Sequence, residues 1–171
     1  LAVPVAWGLL AWRSGGVGAG TVLPALLLYA FVGVALFFID ADVHRLPEGL
    51  TFPLGISIAA LLLVAAAVTQ QWGSLGRAAI CGVLSFVVYL VLLLASRGQF
   101  GFGDVVVGSI TGLLLGYLGW PEPYWAAALG FVLGAVVSLA RLARRRIGLK
   151  TEIAFGPYIV LGALVTVIAL R

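Results

Sequence analysis

The chain has 171 residues, of which 63% are hydrophobic and only 9% charged, with a formal net charge of +4 at pH 7. Soluble domains usually carry about a quarter charged residues, so the composition excludes a water-soluble domain, a disordered tail and a nucleic-acid-binding module. A membrane-crossing helix needs roughly 20 mostly apolar residues, and the chain has room for about seven. The composition therefore predicts an all-α polytopic membrane protein.

Uncharged stretches mark the predicted spans, which cover residues 1–12, 21–39, 53–69, 78–95, 105–120, 124–140 and 153–170. The first is too short to cross a bilayer alone, and no basic segment precedes it, so it is not a complete signal peptide. Lipid offers the backbone no hydrogen-bond partner, so the spans must be helical. We predict one membrane-embedded domain over residues 1–171, a transmembrane helical bundle with about six or seven spans. Because the chain contains no Met and begins within an apolar run, we expect its natural N-terminus to be missing.

Small residues recur at helical spacing in the fifth stretch, where Gly108, Gly112 and Gly116 follow one another at every fourth position. This spacing lets helix backbones approach closely, so it predicts a packing face. The single cysteine, Cys81, excludes a disulfide framework and a CxxC zinc site.

The cations predict the orientation of the bundle. If the loop 40–52 lies in the cytoplasm, alternation places the loops 96–104 and 141–152 there too. Positive charge favours the cytoplasmic side, and these three loops carry seven cations against three elsewhere. The seven are Arg45, Arg97, Arg141, Arg144, Arg145, Arg146 and Lys150. The cluster 141–150 is mainly a topology signal, with anionic lipid as a secondary contact. Nine arginines against one lysine amid many Gly, Ala and Val residues indicate GC-rich coding, which favours a bacterial source.

Acidic residues are rare, and two positions adjoin span ends on the predicted cytoplasmic side. Asp40 directly follows an apolar run, whereas Asp104 directly precedes one. An ionisable group at such depth is costly and indicates function. Capping would account for Asp104, because carboxylates favour helix N-termini, but not for Asp40 at a helix C-terminus. Asp42 competes with Asp40, and since residues two apart point about 200° apart on a helix, only one of them can face Asp104.

Gly101 and Gly103 flank Phe102 directly before Asp104. Glycines beside a catalytic carboxylate allow unusual backbone angles and close approach of an extended substrate. In a membrane protein with a second aspartate at another span end on the same side, this GxGD pattern indicates a catalytic site.

Three motifs in this order resemble the signatures of the type IV prepilin peptidases, which are aspartic peptidases of the GxGD type. The stretch 39–53 (IDADVHRLPEGLTFP) resembles the first, 101–104 (GFGD) matches the second, and 153–157 (IAFGP) resembles the third. The family's first catalytic aspartate lies seven residues before the motif proline, Pro47, so the resemblance selects Asp40 over Asp42, with Asp104 as its partner. It also implies supporting roles for Gly101, Gly103, Phe155, Gly156 and Pro157.

The resemblance implies an aspartic endopeptidase of the bacterial inner membrane. Its substrate would be a prepilin or pseudopilin with a short basic leader and an apolar N-terminal helix, cut at the cytoplasmic face. Two adjacent aspartates share a proton, the ionised one activating water and the protonated one polarising the scissile carbonyl. No cofactor or metal is expected; the partners are the substrate and membrane lipid, with no nucleic acid.

The chain departs from the family pattern at three positions: Glu48 replaces an Asp, Val106 a Lys that many members carry, and Ala154 a Pro. The change at Glu48 indicates that this carboxylate is not the proton carrier. A single cysteine leaves no counterpart to the cysteine-rich zinc domain of larger bifunctional members, so the resemblance does not extend to N-methylation.

Four alternatives stay open. Asp42, His44 and Glu48, joined by Asp40, are chemically able to gather a metal ion, although their spacing matches no known cage. Proton-coupled transporters also carry membrane carboxylates and glycine-broken helices, but nearer the midplane. The third alternative is a presenilin-like GxGD protease, against which the blocks around Pro47 and Pro157 argue. The fourth is an inactive scaffold, with which Val106 is compatible.

Overall fold

The computed structural model describes residues 20–43, 48–96, 101–143 and 155–169, with the backbone alone described at 37–43, 48 and 141–143. These residues form six helices and no strand. The helices are α1 (Leu23–Val43), α2 (Glu48–Thr69), α3 (Trp72–Ala95), α4 (Phe102–Leu118), α5 (Pro121–Ala143) and α6 (Gly156–Ala169). The all-α fold is thereby confirmed. The predicted span 1–12 lies outside the described residues.

Among the described residues, three helices are long and apolar enough to cross a membrane: Gly49–Thr69, Trp72–Ala95 and Pro121–Ala140. Three shorter apolar helices accompany them: Leu23–Leu36, Phe102–Leu118 and Gly156–Ala169. Helix α4 is central, because it packs against α2, α3, α5 and α6 and is buried on nearly every side. Asp104 in its first turn is therefore buried among neighbouring helices, whereas Gly101 and Phe102 shortly before it are exposed.

The glycines of α4 form its contact with α3. Positions 108, 112 and 116 face Tyr89, Ser85 and Cys81 respectively, and Gly82 of α3 faces Leu113 in return. Each step of four residues forward in α4 matches four residues backward in α3, so the two helices are antiparallel and in register. A Cβ atom at Gly116 would lie 2.5 Å from Cys81 Cβ. The predicted packing face is confirmed.

Helix α3 begins six residues before the predicted span 78–95 and includes Arg77, which lies between the predicted spans 53–69 and 78–95. The Arg77 side chain donates through Nε to the Gly116 carbonyl (2.7 Å) and through Nη2 to the Tyr117 carbonyl (2.8 Å). Carbonyl groups at a helix C-terminus lack partners within the helix and favour a cation. The arginine therefore caps the end of α4 opposite Asp104.

Consecutive helices run in opposite directions. The contacts between α5 and α6 show the same reversal as those between α3 and α4, because Gly134 faces Phe155 whereas Ala126 faces Gly162. Helices α1 and α2 pack against each other and are separated by four residues in the chain, and α2 and α3 pack against each other and are separated by two. Packed helices so close in sequence are antiparallel. As a result α1 and α4, three reversals apart, run oppositely, and the C-terminal end of α1 lies on the same side of the bundle as the N-terminal end of α4.

Candidate active site at the start of the central helix

Asp104 occupies the first turn of α4, where it closes the helix start. The Gly101 backbone N–H donates to Asp104 Oδ2 at 3.3 Å, and the Asp104 N–H donates to the Gly101 carbonyl at 3.1 Å. The capping role considered for this aspartate is thus present. Capping alone does not require burial, however, and Asp104 is only 5% exposed. Because removing a carboxylate from water is costly, the depth of Asp104 still calls for a further role.

Gly101, directly before this turn, leaves room beside the carboxylate and is not needed for an unusual backbone conformation. Gly101 has φ −85° and ψ 147°, an extended conformation open to any residue, so the expectation of an unusual backbone angle is wrong at this position. A Cβ atom there would lie 3.6 Å from Asp104 Oδ2. A larger side chain at 101 would therefore stand beside the carboxylate, whereas glycine leaves that approach open. Gly103 is the second residue of α4.

The competing aspartates of the first motif both lie in the last turn of α1, which continues through Val43. Their side chains are outside the described residues, but the helix register is informative. Tyr29 and Leu36 are each 2% exposed, and position 40 lies eleven and four residues after them, on the same helix face. Position 42 lies eleven residues after Phe31, which is 53% exposed. The register therefore places position 40, not 42, on the face of α1 that packs into the bundle.

A buried hydrogen bond relates the heights of the two helices. Tyr29 Oη lies 2.6 Å from Thr111 Oγ1, and Thr111 donates its only hydroxyl proton to the Val107 carbonyl (2.8 Å), so Tyr29 is the donor. From this level Asp40 is eleven residues along α1, about 16 Å, and Asp104 is seven residues along α4, about 10 Å, towards the same end. Both aspartates therefore lie beyond this hydrogen bond, towards the same end of the bundle.

Phe155, Gly156 and Pro157 of the third motif form the entry to the last helix, whereas positions 153 and 154 lie outside the described residues. The Phe155 carbonyl accepts the N–H groups of Tyr158 (3.0 Å) and Ile159 (3.3 Å), and Gly156 and Pro157 are buried in the first turn of α6. The stretch is therefore a helix start, as its proline also indicates.

Aromatic rings connect this motif to the helix of Asp104. The Phe155 ring centroid lies 5.0 Å from that of Phe131, which lies 6.0 Å from that of Tyr89. Tyr89 packs on Gly108, one turn after Asp104, and is within electrostatic range of that carboxylate. Sequence reasoning missed Tyr89 and Phe131, since an aromatic residue within an apolar span has no distinguishing pattern.

Of the remaining predicted residues, the structure describes the side chain of Val106 but not those of the first motif between positions 42 and 48. Pro47 and the residues of the metal alternative at 42, 44 and 48 have no described side-chain positions. Within the described part of the chain, no three His, Cys, Asp or Glu side chains gather as a metal site would require. Val106 is half-buried and packs against the apolar core, so an apolar residue suits this position.

Comparison with known proteins gives consistent results. A family model described as the type IV leader peptidase family matches residues 21–170. A prepilin leader peptidase/N-methyltransferase of Stutzerimonas stutzeri is 29% identical over 170 residues, covering 96% of this chain and 53% of that protein. A protein of the same name in Escherichia coli (strain K12) is 32% identical, over 84% of this chain and 62% of its own length. Another in Neisseria gonorrhoeae is 31% identical, over 90% of this chain and 50% of its own length. The chain thus spans about half to three-fifths of these relatives. No solved structure matches it significantly.

Proposed function

Because the chain belongs to the type IV leader peptidase family, as its three motifs predicted, we propose that it is a membrane-embedded aspartic endopeptidase that removes the leader from prepilin-like proteins. The observation that carries the proposal is the burial of Asp104 at the open first turn of the central helix. Asp40 is the proposed partner. The register of its position in α1, and its place at the same end of the bundle as Asp104, support this pairing.

The proposed reaction is hydrolysis by two carboxylates that share one proton. The ionised aspartate accepts a proton from a water molecule as that water attacks the scissile carbonyl carbon. The protonated aspartate donates a hydrogen bond to the carbonyl oxygen, and a proton passes to the amine that leaves. Asp104 already accepts one backbone N–H, from Gly101, which fixes the orientation of its carboxylate before substrate arrives. We do not divide the acid and base roles between the two residues.

The end of the bundle at which the proposed pair lies suits this substrate class. A prepilin carries a basic leader outside the bilayer and an apolar helix within it, so its cleavage site lies at the membrane surface. Asp104 is in the first turn of α4 and position 40 is in the last turn of α1, so both are near helix ends rather than mid-span. The bias of positive charge towards this side supports a cytoplasmic location, in the inner membrane of a bacterium.

The proposal is tested by cleavage of a purified prepilin with the chain in lipid vesicles, comparing wild type with Asp40→Asn and Asp104→Asn. Asn keeps the size of the side chain, and in Asp104→Asn its oxygen still accepts the Gly101 N–H, so both variants should insert and fold. We expect each to lose cleavage by at least about 10²–10⁴-fold, the usual contribution of a general acid or base.

Two conservative variants serve as controls. Asp42→Asn changes the neighbouring aspartate of the first motif, and Glu122→Gln changes an acid in the first turn of α5, at the opposite end of the bundle. Both should cleave at close to the wild-type rate. Normal cleavage by Asp104→Asn would refute the catalytic pair, and loss of activity in Asp42→Asn with retention in Asp40→Asn would replace Asp40 by Asp42. Inhibition by a chelator would revive the metal alternative.

A further inference from the structure

A pocket with a volume of ≈ 100 Å³ opens between α3 and α5. Its wall on α3 includes Cys81, Ser85 and Tyr89, and its wall on α5 includes Ala127 and Phe131. The lining is almost wholly apolar. Cavities of this order in proteins accept a single small ring or branched hydrocarbon. The pocket therefore has the size and chemistry to hold one large apolar side chain.

The pocket lies directly inward of Asp104. Its α3 residues Tyr89 and Cys81 face Gly108 and Gly116 of the central helix, which are four and twelve residues beyond Asp104. At about 1.5 Å per residue, the pocket extends from about 6 Å to about 18 Å from the level of the carboxylate towards the membrane interior. The stacked rings of Tyr89 and Phe131 close the end nearest Asp104.

The mouth of the pocket is bordered by lipid-facing side chains. Leu84, Val88 and Tyr124 line it and are 48%, 54% and 62% exposed. A helix moving in the bilayer can therefore place a side chain in the pocket without crossing any described part of the protein. The border is apolar and lies in the spanning part of α3 and α5, which favours an apolar side chain from the bilayer over a polar soluble ligand.

We propose that this pocket receives a side chain from the apolar helix of the substrate, so that the helix lies along the groove between α3 and α5 while its scissile bond reaches Asp104. The inference rests on the proposed function. A substrate cut at Asp104 and embedded in the bilayer must continue inward from that level, and the pocket lies along this path. The Tyr89–Phe131 pair joins the pocket to the site: Tyr89 packs one turn from Asp104, and Phe131 packs on Phe155 of the third motif.

The geometry fixes which part of the substrate enters. Leu84 is on the pocket rim, and by the α3–α4 register it lies opposite position 113, nine residues or about 14 Å inward of Asp104. A fully helical substrate covers this distance in about nine residues. If the first three residues of the substrate after the scissile bond are extended, at about 3.3 Å each, about six residues cover the same distance. The substrate side chain nearest Leu84 should therefore lie about six to nine residues after the scissile bond.

Cysteine cross-linking tests this register. The chain has one natural cysteine, so Leu84→Cys is made in a Cys81→Ala background, together with Asp104→Asn so that the prepilin stays uncut. The prepilin carries one cysteine, moved from two to fourteen residues after the cleavage site, and disulfides are formed in vesicles. We expect a maximum about six to nine residues after the site, repeating with helical period. Val83→Cys is the matched control, because Val83 is 63% exposed but does not line the pocket, and it should cross-link weakly.

A second pair of variants tests occupancy without cross-linking. Ala127→Trp fills the pocket, whereas Ala128→Trp places the same side chain on an exposed neighbouring position outside it. We expect Ala127→Trp to lower kcat/KM for prepilin by about tenfold or more, because the filled pocket keeps the substrate helix from packing closely against α3 and α5. Ala128→Trp should be close to wild type.

The outcomes separate this inference from the proposed function. Absence of prepilin cleavage by wild type would refute the function itself. Efficient cleavage by wild type, combined with equal activity of the two tryptophan variants and cross-links without positional preference, would overturn the pocket while leaving the function intact. The last result would assign the pocket to a lipid acyl chain, which has no fixed register with the substrate.

Discussion

The hydrogen bond between Tyr29 and Thr111 gives the sharpest stability prediction, because it joins the helices that carry Asp40 and Asp104. Both residues are buried, at 2% and 5% exposure. Thr111 donates its proton to Val107 and accepts from Tyr29. Removing the Tyr29 hydroxyl and removing the Thr111 hydroxyl should therefore destabilise the protein to different extents.

Removing the Tyr29 hydroxyl leaves no unsatisfied group of consequence. In Tyr29→Phe the ring keeps its volume, and the Thr111 hydroxyl keeps its bond to Val107. The loss should be about 0.5–1.5 kcal/mol, towards the lower value because hydrogen bonds between membrane helices contribute about 0.6 kcal/mol on average.

Removing the Thr111 hydroxyl is more damaging. Thr111→Val deletes the acceptor and leaves the Tyr29 hydroxyl buried without a partner, which costs about 1–3 kcal/mol. Adding Tyr29→Phe to Thr111→Val removes that stranded hydroxyl. The second substitution should then be neutral or stabilising, although it is destabilising by itself.

The double-mutant cycle is measured by reversible unfolding in mixed micelles, with prepilin cleavage followed in parallel. Neither residue is proposed to touch substrate, so cleavage by the folded variants should stay within about tenfold of wild type, well above the residual activity expected after loss of a general acid or base. Additive destabilisation, with Tyr29→Phe costing the same in both backgrounds, would refute the reasoning. So would a larger loss from Tyr29→Phe than from Thr111→Val.

The remaining predictions concern helix packing and use the same unfolding assay. Gly112→Ala places Cβ 2.7 Å from the Cys81 carbonyl oxygen and should cost about 1–3 kcal/mol. Gly76→Ala should raise the free energy of unfolding by about 0.4–1 kcal/mol, because a Cβ atom there meets nothing within 4 Å. Equal effects of the two glycine substitutions would contradict the packing described for α3 and α4. Arg77→Gln removes the charge that caps α4 and should lower the free energy of unfolding by about 1–3 kcal/mol. Arg77→Lys should have an intermediate effect. Unchanged stability of Arg77→Gln would show that the cap contributes nothing.

The sequence predicts helix positions well because apolar length is the main constraint on a chain in lipid. It fails where a charge belongs to a helix: the predicted span begins only after Arg77, yet Arg77 lies within α3 and its guanidinium donates to the carbonyls of Gly116 and Tyr117. Such pairing depends on another helix and cannot be read from local composition. The capping role of Asp104, by contrast, follows from its place before an apolar run, whereas its burial does not.

Some contact faces of the helices could likewise be predicted from the sequence, and others could not. The glycines from 108 to 116 were readable because small residues at every fourth position have one evident use. The Tyr89–Phe131 pair and the pocket beside it were not, since every face of a membrane helix is apolar and burial leaves no contrast in hydropathy. The same lack of contrast left Asp40 and Asp42 undecided from helical periodicity alone, and the buried positions of α1 now support the choice of Asp40 that the family resemblance made.

The two aspartates are held by different kinds of contact, which gives the variants distinct expected patterns. Asp104 belongs to α4, which is fixed to α3 by backbone-close packing at three glycines, by the Ser109 hydroxyl donating to the Gly82 carbonyl at 3.1 Å, and by Arg77. Position 40 belongs to α1, which packs on α2 and α6 and reaches α4 through the Tyr29 side chain. Substitutions in the α3–α4 contact should therefore act mainly on unfolding. If Asp40 pairs with Asp104 as proposed, substitutions at Tyr29 and Thr111 should also lower cleavage by the folded protein, within the tenfold range given above. A cleavage loss in Tyr29→Phe that is fully accounted for by its unfolded fraction would show that the heights of α1 and α4 are set elsewhere.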